Sequence, residues 1–133
     1  MSSSENPGKA DQRDQGEVDL SVLDAMLALR KPGAPDPRRR IIAIYMDSAP
    51  KLMDAIMAAL AASDSTSLKK AAHSLKSASM NVGAKAFGAI CADLERIATA
   101  GSLDDAGGLA EKAETSFKAV MASLEGALRS MSP

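Results

Sequence analysis

The chain has one histidine, His73, set in the run Lys69-Lys70-Ala71-Ala72-His73-Ser74-Leu75-Lys76-Ser77. A neutral imidazole offers a nucleophilic nitrogen near neutral pH, because its reference pKa is about 6.5. Lysines one helical turn away can pair with anionic oxygens gathered on that nitrogen. The spacing predicts a helix over residues 65–81, capped by Asp64 and ended at Gly83. Advancing each residue by about 100° separates two faces. Leu68, Ala71, Ala72, Leu75, Ser79 and Val82 fall on one; Lys69, Lys70, His73, Lys76, Ser77 and Met80 fall on the other. The imidazole is thus expected in water, with Lys69 and Lys76 on either side and Ser77 four residues on. Such a face is not yet a site. A surface histidine among lysines is ordinarily only solvated, and a glycine after a helix is ordinarily only a stop.

The flanking elements must hold that helix. A short first helix is expected over residues 19–30, capped by Asp19 or Ser21, with Leu20, Leu23, Met26 and Leu27 as its stripe. Lys31-Pro32-Gly33-Ala34-Pro35 stops it, and Asp36-Pro37 starts a second helix running to about residue 62. Ile41, Ile44, Tyr45, Leu52, Ile56 and Leu60 are its expected buried stripe, and Pro50 is expected to bend or split it. A fourth helix is predicted over residues 84–100, with Phe87, Ile90, Cys91, Leu94 and Ile97 inward and Gly101 as terminator. Ser102 and Asp105 resemble a capping box for a last helix. That helix shows Leu103, Ala106, Ala110, Ala113, Phe117, Val120, Leu124 and Leu128 on one face.

Composition agrees with an all-α fold. The 133 residues are 46% hydrophobic but only 2% aromatic, so Leu, Ile, Met, Val and Ala must build the core. Short loops favour antiparallel neighbours, which predicts an up-down antiparallel four-helix bundle with a short extra N-terminal helix. Residues 1–17 carry too little apolar surface to offset ordering and are expected to be a disordered tail; residues 18–133 form the domain.

Several functions are disfavoured. A net charge of −1 supplies no global field for nucleic acid. No apolar run can span a bilayer, and the N-terminus lacks the apolar core of a signal peptide, so a cytoplasmic location is expected. One cysteine, Cys91, and one histidine make no metal or haem site, and no nucleophile-elbow pattern is present. Cys91 reads as a core residue.

The ordered set of residues is more specific than its parts. Ala72-His73-Ser74-Leu75-Lys76-Ser77, then Gly83-Ala84, Phe87 and Leu94-Glu95, resembles the histidine-containing phosphotransfer (HPt) domain family. Upstream, Ile44-Tyr45-Met46-Asp47-Ser48-Ala49-Pro50 resembles the family's apolar-aromatic segment, with Tyr45 where Phe is more usual. Ser77 stands where glycine is commoner. The resemblance spans about residues 18–130. It implies that His73 accepts a phosphoryl group, with Lys76 as main charge partner and Ser77 giving a hydroxyl or space. It implies receiver domains of response regulators and hybrid histidine kinases as partners, which would supply the acidic pocket and Mg²⁺. The chain itself would need no cofactor or metal and would not act as an enzyme alone. Lys69, Lys70, Met80, Gly83, Ala84 and Lys85 are the expected docking ground, and a monomer is expected.

A histidine kinase dimerisation domain is the nearest rival. Its pattern has an acidic residue after the histidine and a proline soon after; here Ser74 follows, and no glycine-rich nucleotide-binding domain is present. The other alternative is a helical bundle that binds response regulators without carrying phosphate.

Overall fold

The computed structural model describes residues 17–131. Apart from Glu17, the expected disordered tail lies outside the described residues. These are helical, with no strand among them. We number the helices α1 (Leu20–Asp24), α2 (Pro37–Ala61), α3 (Ser65–Asn81), α4 (Lys85–Ala100) and α5 (Ala106–Ser130).

Three starts follow from side-chain chemistry. Asp19, Asp36 and Asp64 each accept a hydrogen bond from a backbone amide of the first turn of α1, α2 and α3. Pro37 opens α2, where a missing N–H costs nothing. Gly83 and Gly101 have φ of 84° and 82° and follow α3 and α4, a conformation that glycine adopts without Cβ strain.

The helices pack in sequence. α2 meets α3, α3 meets α4, α4 meets α5, and α5 returns to α2. Leu68, Leu75, Phe87, Leu94, Ile42, Ile56, Val120 and Leu124 fill the interior, all fully buried. Phe87 and Phe117 form a tilted ring pair with centroids 5.4 Å apart. Inside this core one polar pair is satisfied by itself: Tyr45 Oη and Ser79 Oγ lie 2.8 Å apart. Arg38 joins α1 to the start of α2, reaching Asp24 at 2.7 Å and Asp36 at 2.6 Å. That pairing holds the Asp36 carboxyl down at about 2.

Four expectations need correction. The first helix is not continuous to residue 30, because α1 gives way to a 3₁₀ turn at Ala25–Leu29. Only Leu23 of its predicted stripe is buried, since so short an element can turn just one side chain into the core. The buried face of α2 is Ile42, Tyr45, Ala49, Met53, Ile56 and Ala59; Ile44 is 55% exposed, and Ile41, Leu52 and Leu60 are only partly buried. Pro50 lies inside one continuous α2, so of the two outcomes expected of it, bending or splitting, splitting does not occur. Finally, Ser102 and Asp105 form no capping box: α5 starts at Ala106 and its N-cap Asp105 makes no side-chain cap bond.

Candidate functional site

α3 presents the two faces that its sequence predicts. Leu68, Ala71, Ala72, Leu75, Ser79 and Val82 are buried, while Lys69, Lys70, His73, Ser77 and Met80 are exposed and Lys76 is half-buried. The inward face is fixed chiefly by α4, the helix that α3 packs against most extensively. The outward face is therefore held by a rigid neighbour rather than by a loop.

The His73 side chain is 59% exposed, and its Nδ1 lies 2.8 Å from Oε2 of Glu95 on α4. The other carboxylate oxygen of Glu95 accepts a hydrogen bond from Lys76 Nζ, also at 2.8 Å. One carboxylate thus ties two residues of α3 that stand one turn apart. The lysine bond, and then the histidine bond, hold the Glu95 carboxyl below its ordinary range, while partial burial opposes them. An ionised carboxylate can only accept, so Nδ1 must be the protonated nitrogen. The lone pair of a neutral ring is then on Nε2, which makes no hydrogen bond among the described residues. The arrangement is an oriented nucleophile with its back nitrogen anchored.

Glu95 had no role of its own in the sequence reading. The signal was there in the Leu94-Glu95 pair: Leu94 is inward on α4, and the next residue is turned toward the edge that α3 shares. Gly88 was also missed. A Cβ there would meet Met80 Sδ at 2.8 Å, so the glycine lets Met80 lie across α4. Met80 nevertheless remains 45% exposed.

The predicted residues divide into two shallow hollows. Lys69 and Lys70 border the one that contains His73 and Glu95. Ser77, Met80 and Lys85 border the other, along with Lys76 and Gly88. Gly83 and Ala84 do not belong to this surface, contrary to expectation: both are buried. Gly83 is small for a different reason, because the backbone of Asp19 packs on it. Asp19 N–H donates to the Gly83 carbonyl at 2.7 Å, and a Cβ on Gly83 would overlap the Asp19 carbonyl oxygen.

Cys91 is fully buried, and burial pushes its thiol up to about 12, which suits a core residue and not a redox centre. Among the described residues no three His, Cys, Asp or Glu side chains gather as metal ligands, and no helix is long and apolar enough to cross a membrane.

No curated protein matches the sequence. Among solved structures, the chain is similar to the crystal structure of histidine-containing phosphotransfer protein B (HptB) from Pseudomonas aeruginosa PAO1. The two share 26% identity at a TM-score of 0.78, over 87% of this chain and 97% of that one. The family model for the Hpt domain matches residues 40–130, which takes in α3, α4 and every contact around His73. On that match, over more than half its length, the chain belongs to the Hpt domain family.

Proposed function

We propose that the chain is a phosphorelay intermediate whose His73 takes a phosphoryl group from an aspartyl phosphate in one receiver domain and passes it to an aspartate in another. Family membership gives the coarser role, phosphotransfer in two-component signalling. The observation that carries the finer reading is the exposed imidazole held through Nδ1 by Glu95 at 2.8 Å.

In the forward step the Nε2 lone pair attacks phosphorus. The bond from phosphorus to the aspartyl oxygen breaks, and the carboxylate leaves with the electron pair. No proton need move: the Nδ1–H stays on the ring, and the positive charge that develops there faces the Glu95 carboxylate. This accounts for a site without a general base of its own. In the return step a second receiver's aspartate attacks phosphorus, the P–N bond breaks, and the lone pair returns to Nε2.

Lys76 is the main charge partner for the transferred oxygens. Its ammonium has three donors, so it can keep Glu95 and still meet the phosphoryl group. Ser77 gives a hydroxyl or simply room. Lys69, Lys70 and Lys85 supply a local positive field, and Met80 is the apolar contact for the docked partner. The receiver brings its acidic pocket, its Mg²⁺ and the in-line geometry, so the chain is a carrier with no cofactor of its own. The cyclic packing of α2 to α5 and their short connections support an up-down antiparallel bundle with α1 at one end; the carrier is proposed to act as a cytoplasmic monomer.

The test is transfer from a receiver carrying labelled aspartyl phosphate. Wild type is expected to take the label and His73→Gln to take none. Equal loss of receiver label to both would leave only the non-phosphorylated binding module. Labelling of the pure chain by ATP and Mg²⁺ alone would instead point to autokinase activity.

A further inference from the structure

The two lysines beside Met80, Lys76 and Lys85, are not alike in origin, but each already has a carboxylate. Lys76 meets Glu95, and Lys85 Nζ meets Asp19 Oδ2 at 2.9 Å. Lys69 and Lys70, beside His73, form no ion pair among the described residues. The positive charge of this surface is therefore uneven, and the partner of Lys85 comes from outside the α3–α4 hairpin.

We infer that Asp19 is a specificity-determining positioning residue: reaching across the α3–α4 turn, it fixes and partly neutralises Lys85, and so sets how strongly the groove beside Met80 attracts an acidic receiver surface. The inference rests on the relay reading above, in which that groove docks the receiver.

Three observations separate this contact from an incidental surface pair. First, the backbone of Asp19 is bound, its N–H donating to the Gly83 carbonyl at 2.7 Å. Second, that approach is built into the turn, because Gly83 has φ 84° and any Cβ would overlap the Asp19 carbonyl oxygen. Val18 and Val82, on either side of the junction, are each 1% exposed. Third, the carboxylate is held from behind: Ser21 donates its amide at 3.1 Å and its hydroxyl at 2.7 Å to Oδ1, leaving Oδ2 for Lys85. Exposed ion pairs usually contribute little because two long side chains must be ordered at once. Here one partner is already ordered, and only Lys85 must be.

Asp19→Asn removes the charge and keeps an oxygen that can accept from the Ser21 amide. Single-turnover transfer from a phosphorylated receiver would be measured for wild type, Asp19→Asn, Lys85→Gln and the double variant, at low and high ionic strength. Asp19→Asn is expected to lower KM about two- to fivefold at low salt with the limiting rate unchanged, and the difference should fade at high salt. Lys85→Gln should raise KM, and Asp19→Asn should do nothing further in that background. An unchanged KM in Asp19→Asn, or an equal shift with and without Lys85, would overturn the inference. Failure of the relay reading would show separately, as a wild type that takes no label. In calorimetric titration of the unphosphorylated receiver into the same four proteins, Asp19→Asn should bind more tightly than wild type only where Lys85 is present; equal affinities of wild type and Asp19→Asn would overturn the inference.

Discussion

Helix α3 carries two hydrogen-bonded polar pairs that face opposite ways. Inward, Ser79 meets Tyr45 at 2.8 Å, with the two residues 0% and 3% exposed. Outward, His73 meets Glu95 at the same distance, with the imidazole more than half exposed. The distances agree, yet the consequences differ, because only one pair can fall back on water. Losing either inward partner leaves the other in a dry core, where no water can take the lost partner's place. Losing the outward contact lets water replace it at little cost in stability. What the outward pair decides is which ring nitrogen is free. The inward pair is a device for holding α3 in place, and the outward one is a device for chemistry.

The largest expected effect on stability comes from the dry side. Leu75→Ala, two residues from His73 but facing the core, should cost about 2–5 kcal/mol, read as a lower denaturant midpoint. Transfer per folded molecule should be unchanged. A matching loss of transfer would blur the division between the two faces.

Tyr45→Phe tests the inward pair itself and should cost about 1 kcal/mol or somewhat more. The stranded Ser79 hydroxyl can turn back to a carbonyl of the preceding turn, which keeps the cost low. Its alkaline behaviour is a sharper test. Burial pushes the Tyr45 phenol up to about 12 from its ordinary 10, so the folded chain keeps a proton that the unfolded chain loses. Stability should therefore fall as pH rises from about 10 toward 12. Cys91, raised from 9.0 to about 12, adds a loss of the same sign that starts lower. Tyr45→Phe should retain the cysteine part and lose the tyrosine part. Identical alkaline profiles for both proteins would contradict the buried phenol.

The smallest change in stability, less than about 1 kcal/mol, is expected for Glu95→Gln. The amide can still accept from Nδ1 but brings no charge to the developing imidazolium. Loss of one charge-assisted contact of about 1–2 kcal/mol should slow transfer roughly tenfold. A Glu95→Gln chain that transfers at the wild-type rate would reduce the outward pair to an ordinary surface contact.

The sequence made α3 legible almost completely because its polar and apolar residues segregate cleanly at helical spacing. α2 was harder. Ile41, Ile42 and Ile44 lie within four positions, and periodicity alone could not say which of them turns inward. Packing chose Ile42 and left Ile44 in water. The smallness of Gly83 and Ala84 was visible, but not its cause; only tertiary structure shows the segment at Asp19 seated on Gly83. Glu95 lay within a recognised pair, and its role needed the α3–α4 interface, which brings together residues far apart in the chain. The interior is read from pattern; the site arises where two patterns meet.

The most direct measurement is nitrogen-15 and phosphorus-31 NMR of the chain after phosphorylation by a receiver. The account predicts one phosphorylated imidazole, His73, with phosphorus on Nε2 and the proton on Nδ1. Phosphorus on Nδ1, or on any other residue, would contradict it.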